Sequence, residues 1–109
     1  MAEPDRASTF LSTREAWSIA TQAKTDVPCT DCGVVYPYWV MQLDHVPERG
    51  SKAFTVSLTY TSGSDRRVMV TREELVAEIA KCDVVCANCH AERTHSRGGQ
   101  RWGRREVTK

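Results

Sequence analysis

Four of the five cysteines in this 109-residue chain form two pairs, Cys29-Thr30-Asp31-Cys32 and Cys86-Ala87-Asn88-Cys89, which leaves Cys82 over. A Cys-x-x-Cys loop turns its two sulfurs toward one point, and two such loops supply the four thiolates of a tetrahedral zinc site with Zn–S bonds of ~2.3 Å. The redox alternative, a thioredoxin-like pair, is one motif opening a helix after a strand; here the motif occurs twice. Fifty-three residues lie between the pairs, well beyond the ~15–20 of a compact zinc ribbon, so the metal staples a whole inserted unit. Structural zinc is therefore expected at Cys29, Cys32, Cys86 and Cys89, with iron on four sulfurs the lesser alternative. Cys82 reads as a small buried residue rather than a ligand.

A second set of chemical groups flanks the cysteines. Asp44-His45 closes an apolar run, and His90 follows the last cysteine directly. Forty-five residues separate Asp44 from His90, but a metal shared by the two cysteine pairs ties both segments into one small unit. Their oxygen and nitrogen then suit a divalent ion that keeps positions open for water and a substrate phosphate. His45 sits next to Asp44, yet in a strand it points to the opposite side of the backbone, so the two need separate roles. Surface histidines without function are the competing reading for His45 and His90.

The elements that must carry these groups are legible in outline. Ser12 with Glu15 makes a capping box, and Ala16, Trp17, Ile19, Ala20 and Ala23 follow at helical spacing, so a helix runs from there to a stop before Pro28. Val34 to Leu43 is rich in β-branched and aromatic residues, a strand signal interrupted at Pro37. Val46 to Lys52 is a loop. Phe54, Val56 and Leu58 alternate with polar residues, as in a half-buried strand or extended segment, and Thr61 to Asp65 is a turn. Thr71 with Glu74 is a second capping box, opening a helix whose apolar side is Leu75, Val76 and Ile79. Asp83-Val84-Val85 is a short strand entering the second cysteine pair. From Cys89 a helix continues until Gly98 and Gly99. The first residues, through about Ala7, are expected to fray.

Charge is unevenly spread. From Arg93 to the end there are six basic residues, Arg93, Arg97, Arg101, Arg104, Arg105 and Lys109, and one acid, Glu106, so a net +5 follows a body of net −4. Such a tail suits contact with a phosphate backbone, although solubility tails look alike. Trp102 among the arginines suits base stacking or an intramolecular dock equally. No apolar stretch approaches the ~20 residues of a membrane span, and the acidic, proline-containing start is unlike a secretory signal, so a cytoplasmic protein without membrane contact is expected. The length suits one domain, divided as an extension and helix over 1–27, a central unit over 28–96 and a basic tail over 97–109.

Taken in order, Pro28-Cys29-x-x-Cys32-Gly33, Leu43-Asp44-His45-Val46 and Val85-Cys86-Ala87-Asn88-Cys89-His90 resemble the HNH endonucleases, the ββα-metal nucleases with zinc knuckles. The resemblance spans about Pro28 to His95, and small phage and bacterial members look most similar. It implies an α+β fold, a small single-domain ββα-metal unit stapled by four cysteines and preceded by a helix. It further implies cutting or nicking of double-stranded DNA with one divalent ion, Mg²⁺ or Mn²⁺, to 5′-phosphate and 3′-hydroxyl ends. Carried onto this chain, His45 matches the general base, Asp44 the metal-binding acid and His90 the metal-binding histidine. The chemistry agrees, since a neutral imidazole takes a proton from water better than a metal-bound carboxylate does.

The family's middle asparagine is missing before the second knuckle, where the chain reads Ala80-Lys81-Cys82-Asp83-Val84-Val85. Either Asp83 takes over its loop-fixing bonds or Asn88 supplies an amide, and Asn88 is preferred. In some relatives a second helix histidine four residues on also binds metal, but His95 is five beyond His90 and lies about 140° round a helix of ~3.6 residues per turn, so it is not expected to bind. Arg93, on the His90 side, either clamps substrate phosphate or is solvated. A monomer that nicks is the simplest expectation. Cutting both strands calls for a homodimer or, by resemblance, a phage packaging protein. The competing classes are a zinc-stapled DNA-binding module without catalysis, which needs the cysteines and tail but not Asp44, His45 and His90, and a zinc-stabilised protein-interaction module.

Overall fold

The computed structural model describes residues 9–61 and 67–97. The expected frayed start, most of the turn before Arg67, the helix-ending glycines and Arg101, Arg104 and Arg105 lie outside the described residues. The rest is an α+β unit: helix α1 (Thr13–Gln22), strand β1 (Met41–His45), helix α2 (Arg72–Ile79), strand β2 (Cys82–Cys86) and helix α3 (Ala87–Ser96), joined in part by short 3₁₀ turns. Among the described residues β1 and β2 form one antiparallel two-stranded sheet, in register Met41 to Cys86, Leu43 to Val84, Asp44 to Asp83 and His45 to Cys82.

Both capping boxes form. Ser12 Oγ accepts from the Glu15 amide at 3.0 Å while the Ser12 amide donates to Glu15 Oε1 at 2.8 Å, and Thr71 with Glu74 repeats the exchange at 3.2 and 2.9 Å. Each pair satisfies two amides that a helix start otherwise leaves without partners. Ala16 and Ala20, one turn apart, are fully buried, and their small side chains let α1 lie close to Leu11, Val56, Val70 and Leu75. The N-terminal helix thus belongs to a core built largely from the residues between the two cysteine pairs. A second, smaller cluster of Cys29, Met41, Val85 and Cys86 surrounds the sulfurs.

Three local expectations change. The strand anticipated from Val34 begins only at Met41. Pro37 instead starts a 3₁₀ turn over Tyr38–Val40, with the Val40 amide donating to the Pro37 carbonyl, and β2 is five residues long, so nothing pairs with an earlier start. Val35 makes one isolated bridge to Pro28 and otherwise stays exposed. The alternating Phe54–Leu58 segment is a 3₁₀ turn over Val56–Thr59 rather than a strand. Its burial has period three, with Val56 and Thr59 inside, and Thr59 Oγ1 closes the turn on the Val56 carbonyl at 2.7 Å. Finally, α3 starts at Ala87, two residues early, because Cys86 is its N-cap and takes the Cys89 amide on its own sulfur.

Candidate functional site

Two loops converge on one point. The first cysteine pair is a tight turn closed by the Gly33 amide donating to the Cys29 carbonyl at 2.8 Å. Gly33 sits at φ +76, a conformation that costs a side-chain-bearing residue. The turn docks on β2, where the Thr30 amide and Thr30 Oγ1 both donate to the Val84 carbonyl, at 2.8 and 3.0 Å. The second pair occupies the end of β2 and the first turn of α3. All four sulfurs, Cys29, Cys32, Cys86 and Cys89, lie within 4.8 Å of one another. A tetrahedral ion with ~2.3 Å bonds needs S–S separations of about 3.8 Å, so the donor set fits a four-thiolate metal site. Amides of Cys32 and Cys86 point at the Cys29 sulfur, at 3.5 and 3.3 Å. Although burial works against ionisation, these amide bonds hold the Cys29 thiol down at about 6, while the hydrogen bond with Cys86 pushes Cys89 up to about 12. Four thiols this close cannot all ionise without a cation. Cys82 is outside this cluster and buried, and burial together with Glu78 and Asp44 raises its thiol to about 11, as expected of a non-ligand.

The second site is a charge cluster under α3. Asp44 and Asp83 are register partners across the sheet, so two carboxylates stand opposite each other on one face. Arg93, one turn of α3 beyond His90, separates them: Nη1 donates to Asp44 Oδ2 at 2.7 Å and Nη2 to Asp83 Oδ2 at 2.9 Å. The same guanidinium grips Asp31 of the first cysteine loop in a fork, both bonds 2.7 Å. Arg97 adds a second fork on Asp44, 2.9 Å to each oxygen, and Arg49 donates to Asp83 Oδ1 at 2.7 Å and to the Cys82 carbonyl at 3.0 Å. Three carboxylates thus meet three guanidiniums. Burial alone would raise the Asp44 and Asp83 carboxyls, but their arginine partners hold both below the ordinary carboxylate range.

His90 reaches this cluster as anticipated, with Nε2 3.5 Å from Asp44 Oδ1. An ion with bonds of about 2.1 Å can bridge two atoms at that separation, so the pair fits a divalent cation with water or phosphate completing its shell. Arg97 Nη1 holds the same Asp44 oxygen, so loading a cation there means displacing that fork. His45 lies on the other side of β1, as strand alternation requires. Its Nε2 is 2.9 Å from Glu78 Oε2 of α2, and it lines a cavity of about 290 Å³ together with Lys24, Lys52, Gln42, Thr55 and Tyr60.

Two anticipated roles, those of Arg93 and Asn88, look different in place. Arg93 is neither a free phosphate clamp nor solvated; it is committed to three carboxylates. Asn88 is exposed on the first turn of α3, and its side chain makes no hydrogen bond among the described residues. Asp83 holds the loop after β1, through Arg49. His95 is exposed and is not among the residues bonded to Asp44, as expected of a non-ligand. Sequence reasoning missed Glu78 altogether. Its only signal was a charged residue three positions from Leu75 on the apolar side of α2, and it is 2% exposed. Among the described residues no helix is long and apolar enough to cross a membrane. No protein-family model, curated protein or solved structure matches the chain.

Proposed function

We propose that this chain is a metal-dependent endonuclease of the HNH type that hydrolyses phosphodiester bonds of double-stranded DNA. The observation that carries the reading is the meeting of Asp44 Oδ1 and His90 Nε2 at 3.5 Å, from positions far apart in sequence, beside a four-thiolate site, with His45 the next residue of β1 on its opposite face. In this reading zinc occupies the four cysteines and holds β2, α3 and the first cysteine loop together. Asp44 and His90 hold the catalytic Mg²⁺ or Mn²⁺, which when bound neutralises charge on the scissile phosphate and stabilises the leaving oxygen. His45 takes a proton from water, the resulting hydroxide attacks phosphorus, and the P–O3′ bond breaks to leave 5′-phosphate and 3′-hydroxyl ends. Lys24 and Lys52 beside His45, with Arg97, Arg101, Arg104 and Arg105, supply positive charge for the phosphate backbone. A monomer nicks; cleavage of both strands calls for a homodimer or a packaging partner.

The second reading is a zinc-stapled DNA-binding module without catalysis. It draws on the saturation of Asp44 by Arg93 and Arg97, which a purely structural carboxylate explains directly.

Supercoiled-plasmid cleavage with Mg²⁺ or Mn²⁺ separates the two, comparing wild type with His45→Ala at matched zinc content. Metal-dependent nicking that disappears in the variant supports the endonuclease. DNA binding with no cleavage under several divalent ions transfers the conclusion to the binding module.

A further inference from the structure

A carboxylate inside a helix's core-facing side needs an explanation. Glu78 occupies such a place on α2, 2% exposed, where an apolar residue of similar volume would be neutral or better for stability. Three donors hold it. Lys81 Nζ reaches Oε1 at 2.9 Å, while the Ala53 amide and His45 Nε2 both meet Oε2 at 2.9 Å. Despite burial, which raises it, the bonds from Lys81, Ala53 and His45 keep the carboxyl at about 2, so Glu78 is ionised and can only accept. The nitrogen facing it must therefore carry the hydrogen. Among the described residues nothing bonds the other ring nitrogen, and His45 borders the cavity shared with Lys24 and Lys52.

We infer that Glu78 is a positioning residue for His45: its buried carboxylate fixes the imidazole as the Nε2–H tautomer, aims the ring, and makes Nδ1 the nitrogen that takes the proton from water. The inference rests on the endonuclease reading for the use of that nitrogen; the tautomer follows from the donors gathered on an ionised Glu78, whichever function holds. Glu78 also takes the Ala53 amide, so the loop after β1 and α2 are pinned at the same carboxylate that orients the ring. Orienting partners of this kind act through another residue, and their loss typically lowers activity 10–100-fold; a wrong tautomer costs more.

The test pairs nitrogen–proton correlation spectra of isotope-labelled histidine with plasmid-nicking kinetics on zinc-loaded wild type, Glu78→Gln and Lys81→Met. The spectra tell a protonated ring nitrogen from an unprotonated one. Expected are a single Nε2–H form of His45 in the wild type, a mixture of tautomers in Glu78→Gln, and a kcat lower by about 10–100-fold with KM for DNA unchanged. Lys81→Met also breaks an ion pair of Glu78 but leaves the imidazole bond, so it keeps the wild-type tautomer and kcat. An unprotonated Nε2 in the wild type overturns the inference even if Glu78→Gln does not fold, and so does an unchanged tautomer or kcat in a folded Glu78→Gln. A wild type that cuts no DNA removes the endonuclease reading and with it the catalytic half of this inference, while its spectrum still decides the tautomer.

Discussion

Replacing Arg93 by methionine keeps most of the side-chain length and the helix propensity of α3 but leaves the sheet's paired aspartates without the charge between them. Four hydrogen bonds shorter than 3 Å are lost, to Asp31, Asp44 and Asp83. Asp31 is the most exposed of the three and is rehydrated, so it adds little. The cost sits at Asp44 and Asp83, 6% and 15% exposed. Carboxylates of directly opposed residues lie about 5 Å apart, and at an effective dielectric near 20 their repulsion is about 3 kcal/mol. Arg97 on Asp44 and Arg49 on Asp83 remain and offset part of it, while unpaired buried hydrogen-bond acceptors add about 1 kcal/mol or more. The expected loss is therefore about 3 kcal/mol, at the lower edge of what breaking a buried pair costs. Urea unfolding at fixed free zinc measures it, because binding to the folded chain alone otherwise shifts the midpoint. Combining Arg93→Met with Asp83→Asn should restore about 1–2 kcal/mol of the loss, since the second change removes the repulsion that the first exposed. A loss under about 1 kcal/mol, or strict additivity of the two changes, would refute the idea that Arg93 separates the two aspartates.

Removing the metal from the four cysteines with a strong chelator should unfold the chain cooperatively, since metal-binding energy is folding energy in so small a core; helical circular dichroism retained after complete removal contradicts this. Arg97→Gln frees the Asp44 oxygen nearest His90 and should tighten Mn²⁺ binding by about 5–20-fold, the equivalent of one exposed charge-assisted bond; titration calorimetry on zinc-loaded protein reads it, and unchanged affinity means the ion does not sit there. Deleting the residues after Ser96 removes Arg97 and the bases beyond it, so it should weaken DNA binding and flatten the dependence of log affinity on log salt. An unchanged slope shows that the tail does not contact phosphate.

How far the chain could be read depended on whether the physics was local. Ser12 with Glu15 and Thr71 with Glu74 specify helix starts within four residues, and both formed. The two Cys-x-x-Cys loops announce their convergence because each turn is local and a shared metal explains both. The approach of His90 to Asp44 followed from that staple. Local pattern failed where a partner was required: Val34–Val40 and Phe54–Leu58 carry strand residues, but no third strand exists among the described residues to pair with them. Asp44 opposite Asp83 depends on the register of two strands separated by 36 residues, and only α3 packed over that sheet brings Arg93 between them. Glu78 shows the same limit. In Glu73-Glu74-Leu75-Val76-Ala77-Glu78 only the spacing from Leu75 sets the third acid apart; its burial was decided by packing α2 against the end of β1, which brings a carboxylate, a lysine, a backbone amide and His45 together. Residue types and spacings alone therefore determined the helix starts and the four-cysteine cluster, because ligand sets and caps are written over a few residues. Which partners Asp44, His45, Glu78 and Arg93 have was settled by long-range packing, since burial and charge pairing depend on segments that meet only in the folded chain.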